Sequence, residues 1–195
     1  MRVTNRRKLN QFVIIPTFDV SPDAPTLSPI TPHFDVDSTN VYYKHWLSIA
    51  KTIKEEYKNF DGFVIGSPVH YASASGIATA FLDRAFFVAA RSGKPIFKHK
   101  PGTAIASARR AGTTATLDQL NKYFTITQMP LISGRYWNMV HGSNPDEVRQ
   151  DLEGMQNMRI LARNMAWHLK CQQAAKEAGV EMPKAEETIW TNFIR

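Results

Sequence analysis

The chain has 195 residues, 43% hydrophobic and 21% charged, a make-up suited to one globular domain that buries a core without covalent staples. No apolar run approaches the ~20 residues of a membrane helix, and Cys171 is the sole cysteine, which leaves no disulfide framework and no cysteine cluster for iron–sulfur or structural zinc. The net charge of +7 is scattered over short groups (Arg6-Arg7-Lys8, Lys98-His99-Lys100, Arg109-Arg110) without interleaved aromatics, so nucleic acid is not an expected partner.

The opening MRVTNRRKLNQFVII is basic, but its apolar stretch runs only from Phe12 to Ile15. No secretory signal is read there, and a reducing compartment, the cytoplasm, is expected. Residues 11–15 predict a first buried strand, ended by Pro16. Prolines at 16, 22, 25, 29 and 32 then forbid a helix and predict a long loop, with a short strand near His33 to Val36. Asp37, Ser38, Thr39 and Asn40 offer helix caps, and Trp46, Ile49, Ala50, Ile53 and Tyr57 follow at helical spacing.

The segment DGFVIGSPVHYASASG, 61–76, reads as a short buried strand running into a Gly- and Ser-rich loop from Gly66. A helix is predicted over 76–90, with Ile77, Phe81, Ala85 and Val88 on its apolar face. GTAIASA, 102–108, is the next strand, GTTATLDQLNKYF, 112–124, the next helix, and MPLISG, 129–134, a last short strand. Pro145, Asp146 and Glu147 then open a long helix, 146–178, whose stripe is Val148, Leu152, Met155, Ala162, Met165 and Leu169, closed by Gly179.

Strands alternating with helices indicate a parallel sheet covered on both faces, with ligands at the carboxyl ends of the strands. The loops 66–76 and 107–113 share that edge and are expected to face each other. The first has small residues that admit a flat ligand, and Pro68 and Tyr71 to pack on a ring. The second brings two guanidiniums and the backbone N–H groups of a helix start, which suit negative charge. A planar ligand that becomes anionic, as reduced flavin does, satisfies both; a plain turn with a surface arginine pair is the other reading of the same spacing.

Three stretches, DGFVIGSPVHYASASGIATAFLDRAFF, KPGTAIASARRAGTTATLDQLNKYFTITQMPLISGRYWNMVHG and EGMQNMRILARNMAWHL with its closing TNFIR, resemble the flavodoxin-like NAD(P)H-dependent FMN reductases. The resemblance covers about residues 61–195. It implies one α/β domain, a three-layer flavodoxin-like doubly wound parallel sheet of about five strands in the order 2-1-3-4-5, assembled as a homodimer or homotetramer. It also implies an oxidoreductase that passes hydride from NAD(P)H through bound FMN to a flavin, a quinone or a similar small acceptor, with no membrane partner and no metal. By that resemblance Ser67, Pro68, Val69, His70 and Tyr71 border the isoalloxazine ring. Ser107, Arg109, Arg110, Gly112 and Thr113 meet its pyrimidine side or the ribityl chain. Tyr136 and Trp137 lie near the ring, either of the same subunit or across a subunit boundary.

The N-terminal third departs from this pattern. Such reductases follow their first strand with a Gly-Ser-Pro-Arg-like loop that cradles the FMN phosphate, whereas this chain has PTFDVSPDAPT, with Asp19 and Asp23 to repel a phosphate. The alternative is therefore a non-catalytic or engineered flavodoxin-like scaffold with weak or no flavin binding. Residues 33–65 are similar instead to a segment of type I bacterial asparaginases, but GSPVHY stands where those enzymes carry a catalytic threonine and aspartate. Amide hydrolysis therefore lacks its nucleophile. The chain reads as a mosaic, natural or constructed.

Overall fold

The structure is a computed structural model that describes the backbone of residues 12–16 and residues 60–193. The expected proline-rich loop, the strand near 33–36 and the helix around Trp46 lie outside the described residues. Among the described residues the elements are, in order, β1 (Phe12–Pro16), β2 (Gly62–His70), β3 (Ser73–Ala74), α1 (Gly76–Arg91), β4 (Gly102–Ala108), α2 (Thr113–Ile126), β5 (Met139–His141), α3 (Pro145–Gln150) and α4 (Leu152–Glu177). β1, β2, β4 and β5 form a parallel sheet in that order, and β3 adds an antiparallel hairpin at the end of β2. This is the doubly wound order of the flavodoxin fold, and the strand expected to flank β1 on its other side lies outside the described residues.

β2 is apolar because it is central. Its alternate residues Phe63, Ile65 and Ser67 are buried on one face, where they join Ala104 and Ala106 of β4, the inner face of α1, and Leu117, Leu120 and Phe124 of α2. Phe63 sits 5.9 Å, ring centre to ring centre, from each of Phe86, Phe97 and Phe124, edge to face. Phe86 and Phe97 stack at 4.3 Å. α4 covers the opposite face: a Cβ on Gly62 would lie 3.6 Å from Met165 Sδ, and Leu161, Met165 and Leu169 are buried beneath it. Helix, sheet and helix thus make three layers.

Several sequence expectations need correction. The strand expected to stop at Gly66 continues to His70. Gly66-Ser67-Pro68 reads as a breaker, yet the ladder to β4 runs on to Pro68 opposite Ser107. The described ladder to β1 ends at Gly66, so the N–H that Pro68 lacks is past that neighbour's last pair. The last strand is 139–141 rather than 129–134, which contributes only an isolated bridge from Leu131 to Gly102.

α1 buries Ala78, Leu82, Ala85, Phe86 and Ala89. Ile77 is 57% exposed, so the predicted face is rotated by about one residue. The long helix is two helices that meet at Asp151 (φ −73°, ψ 77°), and the carboxylate of Asp151 caps the second by accepting the Gly154 N–H at 2.9 Å. Leu152 and Ala162, placed on the apolar stripe, are exposed, and Gly154 and Asn157 are buried there instead. Gly179 ends α4 as expected, at φ +74°, with Val180 N–H on Ala175 C=O.

Phe124 is fully buried where the sheet meets α1 and α2. Phe124→Ala is expected to cost about 3–5 kcal/mol, read as a lower urea midpoint at unchanged slope. A shift under about 1 kcal/mol would show that this cluster is not the principal core.

Candidate functional site

The parallel register makes the carboxyl ends of β2 and β4 level, because Pro68 stands opposite Ser107. Beyond that pair the two chains converge. Gly112 is the N-cap of α2 at φ +94°, and a Cβ there would lie 2.8 Å from Val69 Cγ1. Glycine is required twice over, by the left-handed backbone and by this contact. The 107–113 segment therefore lies against the 67–71 segment, as the sequence led us to expect.

The individual residues take different parts. Ser67 is only 2% exposed; its hydroxyl accepts the Ser75 N–H at 2.9 Å and lies 2.9 Å from Pro68 C=O, so it pins the β2–β3 hairpin from behind. Ser75 in turn caps α1 through the Ala78 N–H. Gln119 of α2 accepts the Ala74 N–H at 3.2 Å, which fastens the hairpin to the second helix. Pro68 and Val69 are half-buried and form the wall; His70 is exposed.

Tyr71 is at the hairpin tip with φ +58° and is fully exposed. A non-glycine residue in that conformation costs about 1–3 kcal/mol of strain, and here it holds a large ring out of the core.

Ser107 is half-buried, and Arg109 and Arg110 are exposed. Thr113 is buried and donates its hydroxyl to Met139 Sδ at 3.2 Å, behind the cleft. Gly112 has no side chain to cap α2, and the N–H groups of a first helical turn have no intrahelical acceptors. Their partial positive charge thus lies beside the two guanidiniums.

The Glu147 carboxyl is held below the ordinary carboxylate value, chiefly by the Ser143 N–H at 2.7 Å, then by the Ser143 hydroxyl and Asn144, with a smaller contribution from the Arg109 charge.

Tyr136 and Trp137 lie in the segment that leads into β5. Leu131 bridges Gly102 and Met139 pairs with Ala106, so the segment between bulges from the sheet beside the middle of β4. β4 separates that bulge from β2. Both rings are exposed, 5.0 Å apart.

The bulge is fixed by residues that the sequence reading missed. Asn157 of α4, 2% exposed, accepts the N–H groups of Arg135 (2.8 Å) and Tyr136 (3.2 Å) and donates to Trp137 C=O (2.8 Å). A Cβ on Gly134 would come within 2.1 Å of its Oδ1. Asn138 accepts the Gly134 N–H and donates to Thr103 Oγ1 at 2.9 Å. Asp151 accepts the His141 N–H at 2.7 Å, tying the end of β5 to α4. One signal was available: Asn157 precedes Leu161, Met165 and Leu169 at steps of four, a polar residue on a core stripe.

Among the described residues no three His, Cys, Asp or Glu side chains are grouped to hold a metal, and no helix is long and apolar enough to cross a membrane.

Fold and cleft together define an α/β domain of flavodoxin type whose carboxyl edge presents an apolar wall, an exposed ring and positive charge. The profile of the NADPH-dependent FMN reductase family matches residues 25–144, and the chain belongs to that family. The match takes in the whole of the asparaginase-like stretch 33–65 and more than half of the departing N-terminal third. An iron–sulfur flavoprotein of Methanocaldococcus jannaschii is 26% identical over 126 residues, 58% of this chain and 61% of that protein. The chain thus spans about three fifths of that curated relative.

Among solved structures, RosB with a bound 8-demethyl-8-formylriboflavin-5'-phosphate is similar at 15% identity and TM-score 0.48, over 85% of this chain and 76% of that one. A flavone reductase is similar at 18% and 0.47, over 65% and 48%. A flavodoxin from the domain Archaea is similar at 12% and 0.40, over 65% and 87%.

Asn157→Leu is expected to remove about 1–3 kcal/mol of stability and to strip hydrogen-exchange protection from the Arg135 and Tyr136 amides. Unchanged protection there would remove the anchoring role. Glu147 titrates lower in the folded chain than in the unfolded one, so its contribution is present above the unfolded value and lost as pH falls through the folded one. The Ser143 amide resonance is expected to shift over that acidic window, and Glu147→Gln should flatten the shift. A titration unaltered by Glu147→Gln would assign it to another group.

Proposed function

We propose that this chain is an FMN-dependent oxidoreductase that uses NAD(P)H to reduce a small electron-poor acceptor such as free flavin or a quinone. One observation carries the reading: a strained hairpin presenting Tyr71 and a glycine-hinged loop presenting Arg109 and Arg110 meet at the carboxyl edge of the sheet. The residues fit a flavin ring. Pro68 and Val69 offer an apolar wall, Gly112 lets backbone come close, and Tyr71 is free to lie over the ring.

When bound, FMN supplies the two-electron relay between nicotinamide and acceptor. The protein's part is to bind and orient. The uncapped start of α2 and the arginine pair favour the negative charge that reduction places on the pyrimidine edge. The residues that would meet the FMN phosphate follow β1 and lie outside the described ones. The iron–sulfur part of the curated relative's name does not carry over, since Cys171 is the only cysteine and such clusters take several thiolates. Assembly with copies of itself belongs to the same reading.

Titration of the protein with FMN is expected to shift the flavin's visible band saturably, and the loaded protein is expected to oxidise NAD(P)H with added quinone. No spectral change on titration would favour the non-catalytic scaffold instead. Tyr71→Gly is expected to relieve the hairpin, holding or raising the melting temperature, while weakening FMN binding severalfold. Equal FMN affinity in this variant would take the ring away from the cleft. Replacing both Arg109 and Arg110 by alanine should make bound FMN harder to reduce; an unaltered reduction potential would end their electrostatic role.

A further inference from the structure

After Gly179 the chain runs out of α4 as an irregular segment, 180–193, every residue of which is exposed. Its composition is not that of a solvated tail. Val180, Met182, Ile189, Trp190 and Phe193 are all at least 62% exposed, the last three near 90%. A segment that leaves two large aromatic rings and an isoleucine in water has an unmet apolar surface.

Its charge is also opposite to the molecule's. It carries Glu181, Glu186 and Glu187 against Lys184 alone, in a chain of net +7.

The surface that matches it is the solvent side of α4. Arg159, Arg163, Trp167 and Lys170 lie there within about a third of a turn of one another at 100° per residue, and all four are exposed. Trp167 is 68% exposed and Leu152, on the same side, 76%. Apart from Glu177 in the last turn, this is a basic face with apolar side chains set into it, complementary in sign and character to the acidic, aromatic segment.

Length agrees as well. The 26 residues of α4 make a helix of about 39 Å, and the 14 residues of the segment, extended, reach at most about 46–50 Å. The segment is long enough to track the whole helix.

We infer that residues 180–193 form an exchange arm that lies along the solvent face of α4 in a second copy of this chain, its glutamates beside Arg159, Arg163 and Lys170 and its rings beside Trp167. The arm is exposed on its own subunit, and reciprocal exchange covers both apolar surfaces at once, as a two-fold interface requires. Burying Trp190 and Phe193 alone removes about 300–500 Å² from water per arm. Two arms with their backbones and receiving faces then come to the ~1,000 Å² that a specific interface exceeds. The inference extends the self-assembly stated above and is independent of flavin.

The test uses the full chain and measures mass by sedimentation or light scattering, with circular dichroism to confirm folding. The wild type is expected to be a dimer or a larger even assembly that weakens with added salt. The triple variant Ile189→Ala, Trp190→Ala, Phe193→Ala, which touches no core residue, is expected to lose at least tenfold in association while keeping its helical signal. Arg159→Glu with Arg163→Glu should do the same from the receiving side. An assembly unmoved by either variant keeps the oligomer but overturns the arm, and a monomeric wild type overturns both.

A short bismaleimide joining Cys171 to a Glu187→Cys variant distinguishes the route. Dimer-mass product supports exchange, whereas monomer-mass product shows the arm folded back on its own helix and overturns it. None of these readouts depends on FMN, so failure of the flavin reading registers separately in the titration.

Discussion

The β2–β4 ladder determines where everything else in the cleft stands. Six consecutive residue pairs, from Phe63 opposite Gly102 to Pro68 opposite Ser107, hold two central strands in parallel and end them at the same height. A slip of one residue would turn Phe63 and Ile65 out of the aromatic cluster and bring Val64 in. The core therefore enforces the register, and the register sets the level of both loops. The contact of Val69 with Gly112 follows from that alignment, because chains that end level need only short turns to meet. Packing on the inner face of the sheet and the geometry of its carboxyl edge are one constraint seen at two places.

The second support is polar and lies at the β5 edge. An edge strand that is long and flat invites pairing with another chain; here β5 has three residues and is preceded by a bulge. The bulge leaves backbone groups without ladder partners, and in a partly buried site each is costly unless paired. Asn157 and Asn138 supply those partners from α4 and from the bulge itself, and Asp151 does so for the His141 N–H. Buried amides of this kind stabilise only modestly, yet they fix the path of Gly134 to Trp137 by several hydrogen bonds at once. The rings of Tyr136 and Trp137 are thus held out in water by a rigid base, not by a slack loop.

The sequence was most legible where period and burial agree. β4, α2 and the Gly179 stop of α4 were readable because each has an unbroken pattern or a residue with one structural use. It failed where a residue's local preference was overridden by its neighbours. Gly66, Ser67 and Pro68 look like a loop one by one, but a ladder on one side is enough to keep them extended. Val148, Leu152 and Met155 keep helical spacing across Asp151, so periodicity gave no sign that a carboxylate bound to Gly154 and His141 would divide the helix. Ile77 was drawn into the apolar face of α1 because a one-residue rotation preserves the spacing; only the cap at Ser75 fixes the phase.

The candidate cleft itself was legible in outline and not in detail, for a related reason. Residue type marks which side chains suit a ring or an anion, but not which are already engaged by the protein. Ser67 and Thr113 were read as ligand contacts, and both hydroxyls turn out to hold neighbouring chain. Their engagement has a consequence for how such a site works. The hydroxyls of Ser67 and Thr113, buried behind the cleft, have partners within the chain. A floor satisfied in this way folds without help from a ligand. In the flavin reading proposed above, what remains to receive the ligand is the exposed or half-exposed rim: Tyr71 on its strained tip, the wall of Pro68 and Val69, and the charge of Arg109, Arg110 and the α2 start. Ligand affinity then adds to stability by mass action instead of completing the fold. The strain in the hairpin is carried by the Ser67–Ser75 and Gln119–Ala74 hydrogen bonds behind it.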